Sequence, residues 1–166
     1  MSQAPLITVV LATYNWPEAL DLCLQSLQTQ TDHHFEICIA DDGSKPDTTE
    51  LITQWQTHSV VPIRHFWQED QGFRKSRILN QAIAQAQGEY LVFLDGDCIA
   101  QPDFIARHRA LATTGFLVTG ARILLSAKCL TTQAATMANL FGGVSKAATW
   151  PRGVLMCRAS AVLMKA

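Results

Sequence analysis

Two acidic clusters carry the strongest chemical signal in this sequence, and each directly follows a short apolar run. The first is Asp41-Asp42 and the second is Asp95-Gly96-Asp97. Short apolar runs are typical of buried strands in a parallel sheet, and open α/β sheets bind ligands beyond the carboxyl ends of their strands. Carboxylates at two such ends are suited to a divalent cation that carries a phosphorylated ligand.

In the second cluster, two aspartates flank a glycine. Alternate carboxylates can face one ion, and a glycine allows the backbone to approach a bulky ligand. Mg²⁺ and Mn²⁺ prefer oxygen ligands, often one or two carboxylates together with phosphate oxygens. The alternative is an acidic turn that caps the next element. The apolar run that precedes Asp95 favours a metal site at Asp95 and Asp97.

The first cluster is open to two interpretations. Asp, Gly and Ser dominate turns, so Asp41-Asp42-Gly43-Ser44 could be a plain turn. Adjacent aspartates at a buried strand end repel each other, however, unless a ligand uses them. A nucleobase N–H or a ribose hydroxyl is a natural partner. Three polar residues that end the first predicted strand could contact the same base, although alone they are typical of a helix-cap loop: Thr13, Tyr14 and Asn15.

A cluster of cations lies in the first turns of the third predicted helix: Arg74, Lys75 and Arg77. Cations oppose the helix dipole there, which is understandable if a diphosphate lies nearby. The alternative is a solvated basic face that balances Glu69 and Asp70. Arg77 precedes the buried stripe and is expected to be partly shielded, whereas Arg74 and Lys75 are better suited to the surface.

Alternating strands and helices must position these residues. Strands are predicted over residues 6–12, 35–40, 60–67 and 90–94. The first helix is predicted to begin with a capping box at Asn15, the third to run from Gly72 until Gly88 ends it through a positive φ, and Pro62 to mark an edge strand. This rhythm predicts a doubly wound, mostly parallel α/β sheet.

Beyond Asp97 the pattern is weaker. It predicts helices over 102–112 and 130–141, strands over 116–125 and 154–157, and a last helix from about Ala159. There are no repeats or linkers, which predicts one domain over residues 1–166.

The bulk composition excludes several classes of protein. Of the 166 residues, 48% are apolar and 16% are charged, with a net charge of −1, so neither disorder nor nucleic-acid binding is indicated. Five cysteines without a C-x-x-C pair favour a reducing compartment. No basic leader and no apolar stretch of ~20 residues is present. We therefore expect a cytoplasmic protein, with peripheral attachment to the inner face of the membrane left open.

Taken in order, these motifs resemble glycosyltransferase family 2, the inverting enzymes of the GT-A fold. Residues 8–15 resemble its first strand and nucleotide loop, and residues 41–44 its Asp-Asp-Gly-Ser motif. Residues 80–97 are similar to its helix, Gly-acidic-Tyr step and D-x-D metal site. The run 68–74 is similar to a subset that includes polysaccharide-building enzymes.

The resemblance implies a GT-A-like (Rossmann-like) domain that binds a UDP-sugar through Mn²⁺ or Mg²⁺. It implies transfer of the sugar to a hydroxyl of a glycan or lipid-linked acceptor, in polysaccharide or glycoconjugate biosynthesis. Asp97 and Asp95 would ligate the metal. The implied nucleotide-sugar site consists of Thr13, Tyr14, Asn15, Asp41, Asp42, Arg74 or Arg77, Asp95 and Gly96.

One feature departs from the family pattern. The family's general base normally lies well beyond the D-x-D motif, but no Asp or Glu follows Asp103. His108 is the remaining candidate base, although a single helical histidine is more often structural. The resemblance therefore implies that the acceptor portion is incomplete, that sugar transfer is poor, and that a non-catalytic nucleotide-sugar-binding fragment is an alternative.

The sequence favours two other enzyme classes less. The apolar run followed by Asp95-Gly96-Asp97 also resembles the motif of haloacid-dehalogenase-type phosphohydrolases, in which the first Asp is the nucleophile. That motif usually opens the domain and is followed by Thr or Val, whereas Cys98 follows here. A dinucleotide oxidoreductase is disfavoured because no G-x-G-x-x-G follows the first predicted strand.

Overall fold

The computed structural model describes residues 4–120 and three further strand segments, 122–125, 154–157 and 162–164. Strands and helices alternate over the first part of the chain. The elements are β1 (Ile7–Thr13), α1 (Pro17–Gln28), β2 (Phe35–Asp41), α2 (Pro46–His58), β3 (Ile63–Trp67), α3 (Lys75–Gln85), β4 (Tyr90–Asp95), β5 (Cys98–Ala100), α4 (Phe104–Leu111), β6 (Arg122–Leu125), β7 (Val154–Cys157) and β8 (Val162–Met164).

The main sheet has the strand order β3-β2-β1-β4-β8, and a smaller sheet has the order β5-β7-β6. Strands β1 to β4 pair in parallel, and β8 pairs antiparallel with β4. Thr13 of β1 pairs with Asp41, while Ala12 pairs with Asp95. Because β1 lies between β2 and β4, both acidic clusters end at the same edge of the sheet. The predicted mostly parallel α/β sheet is confirmed, and β3 is an edge strand of the described sheet, as Pro62 predicts.

Helices cover both faces of this sheet. Successive strand residues point to opposite faces, so Val9 and Leu11 of β1 join one core and Val10 joins the other. The larger core includes apolar side chains of α1, α2 and α4, and the smaller includes Ile78 and Ala82 of α3. This packing fixes where β1, β2 and β4 end relative to α3.

The predicted capping box is wrong. Trp16 occupies the position before α1 and makes no side-chain capping bond, although Pro17 is the first helical residue as expected. Asn15 instead adopts a left-handed conformation with φ of 49°. Its Oδ1 accepts from the Lys45 N–H (2.9 Å), and its own N–H donates to Ser44 Oγ (2.9 Å). Asn15 therefore ties the β1–α1 loop to the β2–α2 loop.

The structure also corrects the role of Gly88. Helix α3 ends at Gln85, and Gly88 is not among the described glycines with positive φ. A Cβ at Gly88 would lie 2.6 Å from Thr8 Oγ1 and 2.7 Å from the Leu6 carbonyl oxygen. The glycine is needed because the chain passes tightly against β1. At its other end α3 begins at Lys75, three residues after the predicted start at Gly72.

Later elements agree less well with the sequence patterns. Of the described residues in the predicted strand 116–125, residues 122–125 form a strand and 116–120 do not, whereas 154–157 is a strand as predicted. Residues 162–164 form β8 instead of the predicted last helix. The predicted helix over 130–141 lies outside the described residues. No helix of the described part is long and apolar enough to cross a bilayer.

Candidate functional site

A cleft with a volume of about 360 Å³ opens at the carboxyl ends of β1 and β4. It includes carboxylates from both acidic clusters, as the sequence predicts. It is lined by Ala12, Thr13, Tyr14, Trp16, Asp42, Gly72, Phe73, Lys75, Asp95, Gly96 and Asp97.

Asp42 is held rigidly at one side of this cleft. Its backbone N–H donates to the Thr13 carbonyl oxygen at 3.1 Å. Its Oδ1 accepts from Gln68 Nε2 at 2.5 Å, and its Oδ2 accepts from the backbone N–H of Arg74 at 2.9 Å. The carboxylate is buried, with 6% of the residue exposed. Two donors therefore orient a largely desolvated acceptor that borders the cleft.

Asp41 has a different environment from its neighbour. It is fully buried and does not line the cleft. Its Oδ1 accepts from the Ser44 N–H at 2.8 Å, and its Oδ2 lies 3.1 Å from His65 Nε2. The two aspartates are thus each compensated by separate protein donors, so their adjacency does not require a ligand. The structure does not bring Asp41 to the cleft surface, contrary to the expectation that both aspartates frame the ligand.

Gly96 separates the two aspartates of the second cluster. Its N–H donates to the Ala12 carbonyl oxygen at 2.7 Å, and an added Cβ would lie 2.9 Å from that oxygen. The glycine therefore permits close approach to β1 within the protein. Asp95 and Asp97 are both partly exposed and border the cleft.

The sequence analysis placed Lys75 in the cation cluster but left it out of the implied nucleotide-sugar site, and the structure brings it to the cleft. Its Nζ donates to Asp95 Oδ1 at 2.5 Å, and both side chains border the cleft. The predicted arginines lie elsewhere: Arg77 is exposed, and the Arg74 guanidinium donates to Gln71 Oε1 and the Glu69 carbonyl oxygen. Lys75 is the first residue of α3, and its side chain reaches the end of β4. The position at which the helix starts is therefore the signal that could have identified it.

Three aromatic rings form the exposed rim of the cleft. Tyr14, Trp16 and Phe73 are 51%, 46% and 88% exposed. The Tyr14 hydroxyl donates to Asp70 Oδ2 at 2.9 Å, and this bond raises the pKa of the phenol above its ordinary value. Trp16 and Phe73 were not predicted as site residues. Large exposed rings beside a cleft can stack on a base or a sugar.

The residues at the end of β4 fit a divalent cation that shares its ligands with a bound molecule. The described residues contain no cluster of three or more His, Cys, Asp or Glu side chains that could hold an ion by itself. Asp97 and Asp95 nevertheless supply hard oxygen donors on one side of the cleft. Mg²⁺ and Mn²⁺ commonly take one or two carboxylates and complete their coordination with phosphate oxygens or water. The donor set therefore fits such an ion.

His108 does not border the cleft. It is 1% exposed, and its ring packs edge-on against Phe104 with centroids 4.6 Å apart. Burial lowers the pKa of His108 to about 4. The imidazole is a neutral core group near pH 7 and is enclosed on α4, so it is poorly placed to take a proton from an acceptor in the cleft.

The comparisons with known proteins agree with this architecture. The family model for glycosyl transferase family 2 matches residues 8–161. The validoxylamine A glucosyltransferase of Streptomyces hygroscopicus subsp. limoneus is 33% identical over 106 residues, covering 63% of this chain and 23% of that protein. A glycosyltransferase of Nostoc sp., alr2836, is 34% identical over 101 residues, covering 61% of this chain and 31% of that protein. The chain thus spans less than a third of these relatives' length.

A solved structure shows the same fold. The mannosyltransferase PcManGT of Pyrobaculum calidifontis, in complex with GDP-Man and Mn²⁺, superposes with a TM-score of 0.60 at 24% identity. The superposition covers 75% of this chain and 36% of that one. The fold is therefore the GT-A type that the sequence resemblance implies. Since the family model spans nearly the whole sequence, the chain belongs to glycosyltransferase family 2.

Proposed function

We propose that this chain is the donor-binding part of an inverting glycosyltransferase, and that it holds a nucleoside diphosphate sugar in the cleft. One observation carries the proposal: Asp42 from one acidic cluster and Asp95 and Asp97 from the other line a single cleft, with Thr13 on the strand between them. A nucleoside diphosphate sugar has a hydrogen-bonding base at one end and a charged diphosphate towards the other. The two clusters would serve these two parts.

The base and ribose would lie on the Asp42 side. The donors from Gln68 and Arg74 fix the direction of the Asp42 carboxylate, which can accept from a base N–H or a ribose hydroxyl. Uracil carries such an N–H at N3, and the family resemblance makes a UDP-sugar the first candidate. The exposed ring of Tyr14 can stack on the same base. Asp41 would act indirectly, because its hydrogen bond from Ser44 shapes the loop that contains Asp42.

The diphosphate would lie on the Asp95 and Asp97 side, with Mn²⁺ or Mg²⁺ between the carboxylates and the phosphate oxygens. When bound there, the cation would neutralise charge on the departing diphosphate. Gly96 keeps Asp95 and Asp97 close to β1 through its bond to Ala12, and this bond sets their position relative to Asp42.

The reaction we propose is direct displacement of the nucleoside diphosphate by an acceptor hydroxyl. The family resemblance points to a glycan or lipid-linked acceptor in polysaccharide biosynthesis. No general base is assigned, because the three cleft carboxylates are assigned to the donor and no Asp or Glu follows Asp103. We therefore expect donor binding by these 166 residues to exceed transfer. A nucleotide-sugar-binding protein without transfer activity is the second candidate, because none of the described cleft residues is left to act as the base.

A phosphohydrolase role is not proposed. The chain belongs to a different family, and the Asp95 oxygen that would attack phosphate accepts a hydrogen bond from Lys75.

The test is calorimetry of UDP-sugars and GDP-sugars with and without Mn²⁺, on the wild type and on Asp97→Asn. We expect Mn²⁺-dependent binding that Asp97→Asn weakens by at least about tenfold, since even an outer-sphere partner of a metal ligand contributes that much. The matched control is Asp103→Asn, which changes an aspartate that pairs with Arg107 outside the cleft. Undiminished Mn²⁺-dependent binding by Asp97→Asn would refute the metal site, and no binding of any sugar nucleotide by the wild type would refute the function. A transfer assay with the preferred donor then separates the enzyme from the binding protein.

A further inference from the structure

The Lys75–Asp95 ion pair lies inside the cleft where a divalent cation is proposed to bind. Lys75 Nζ is 2.5 Å from Asp95 Oδ1, so the ammonium occupies a position from which a metal would use that oxygen. The two side chains are 36% and 40% exposed. A pair this accessible to water is weakly held, and its members can change partners.

The charges around the cleft make this pair consequential. Asp42, Asp95 and Asp97 border the cleft, and Lys75 is the one cation among its described lining residues. Their formal charges leave an excess of negative charge, which opposes entry of a diphosphate. A divalent cation would cancel that excess and would compete with Lys75 for Asp95. A lysine released from Asp95 has a long flexible stem and a compact charge that suits a phosphate oxygen.

We propose that Lys75 is a positioning residue that exchanges partners during donor binding. Its ammonium holds Asp95 when no metal is bound, and it moves to the diphosphate when the divalent cation takes Asp95. This inference rests on the proposed function and assigns to Lys75 the diphosphate contact that the sequence resemblance gave to Arg74 or Arg77. The Arg74 guanidinium donates to Gln71 and Glu69 and does not line the cleft, which leaves Lys75 as the cation among the described lining residues.

Partner exchange predicts two effects of opposite sign. Removing the lysine charge removes the group that competes with Mn²⁺ for Asp95, so Mn²⁺ alone binds more tightly. The same change removes a phosphate contact, so a nucleoside diphosphate binds less tightly in saturating Mn²⁺. A purely structural role for Lys75 would weaken both interactions together.

The experiment compares wild type, Lys75→Met and Lys75→Arg in the full 166-residue chain. Free Mn²⁺ is measured by electron paramagnetic resonance without nucleotide, and UDP and GDP binding is measured by calorimetry in saturating Mn²⁺. For Lys75→Met we expect Mn²⁺ affinity to rise by about two- to fivefold, the range for an exposed ion pair, and diphosphate affinity to fall by a similar factor. Lys75→Arg keeps the charge and should keep Mn²⁺ affinity within about twofold of the wild type.

Two controls test whether these effects are specific to the Lys75–Asp95 pair. Arg107→Met removes another exposed ion pair, Arg107–Asp103 at the start of α4, whose residues do not border the cleft, and it should leave both affinities unchanged. In an Asp95→Asn background, Lys75→Met should produce no further gain in Mn²⁺ affinity. An unchanged or lower Mn²⁺ affinity of Lys75→Met overturns the inference, while Mn²⁺-dependent UDP or GDP binding by the wild type keeps the proposed function. Failure of the wild type to bind either nucleotide overturns the proposed function and, with it, the diphosphate step.

Discussion

Gly43 lies so close to Asp70 that a Cβ on Gly43 would stand 2.7 Å from the Asp70 Cα. Gly43 follows the first acidic cluster, and Asp70 belongs to the loop before α3 and accepts the Tyr14 hydroxyl bond. The β2–α2 loop and the β3–α3 loop are thus packed backbone to backbone beside the cleft.

The first prediction concerns that contact. Gly43→Ala must strain a backbone with φ of 97° and must also push Asp70 away. We expect the free energy of unfolding to fall by roughly 1–3 kcal/mol or more, measured by urea denaturation. The control is Gly115→Ala, which has a similar φ of 82° but nothing within 4 Å of the new Cβ. Equal losses in the two variants would show that the contact with Asp70 contributes nothing.

The second prediction separates the adjacent aspartates. Asp41→Asn removes a charged acceptor that is buried between Ser44 and His65, so we expect it to lower the free energy of unfolding by roughly 1–3 kcal/mol. Asp42→Asn should weaken nucleotide binding more than it destabilises the fold, because Asp42 borders the cleft. Denaturation and calorimetry on both variants test this. The reverse pattern, with binding lost in Asp41→Asn alone, would contradict the assignment.

A third prediction concerns Tyr14. Its ring is half exposed at the rim of the cleft, and its hydroxyl is bound to Asp70. If the ring stacks on the base, Tyr14→Ala should weaken UDP binding by about 1–3 kcal/mol, the usual value of base–aromatic stacking. Tyr14→Phe keeps the ring and loses only the hydroxyl bond, so it should bind closer to the wild type. If the alanine and phenylalanine variants lose the same amount of affinity relative to the wild type, the hydroxyl contributes to binding and the ring does not.

A fourth prediction follows from His108. Its folded-state pKa of about 4 lies below the ordinary value of 6.5, so the unfolded chain binds more protons between these pH values. The contribution of neutral His108 to the free energy of unfolding is therefore complete above about pH 6.5. It is lost as the pH falls towards 4, and the loss is roughly 3 kcal/mol at most. Denaturation at a series of pH values measures this slope. His108→Gln should flatten it, and an unchanged slope in that variant would contradict the prediction.

The sequence predicted the features of the site that depend on strand ends. Apolar runs identify β2 and β4, and parallel pairing brings the carboxyl ends of these strands together. The convergence of Asp42, Asp95 and Asp97 could therefore be predicted. The resemblance to family 2 then indicated which kind of ligand these strand ends would bind. These inferences use periodicity and chain direction, which can be read from short windows of sequence.

The features that could not be predicted depend on contacts between distant segments. Asn15 reads as a helix cap but bonds to Lys45, and Asp41 reads as a ligand contact but meets His65. The choice between Lys75 and its neighbouring arginines turned on where α3 begins, and helix boundaries are poorly specified by sequence. In each case a residue of the local motif was bound by a partner from another strand or loop.

The turn at Gly96 and Asp97 joins β4 of the main sheet to β5 of the smaller sheet. Asp95 therefore ends one sheet, and Asp97 immediately precedes the other. A cation bound by both carboxylates would connect the two sheets. Because it would bind the closed turn and not an opened one, it would stabilise the smaller sheet against local opening. Slower amide hydrogen exchange in β5 on adding Mn²⁺ would reveal this coupling, and unchanged exchange in β5 would exclude it.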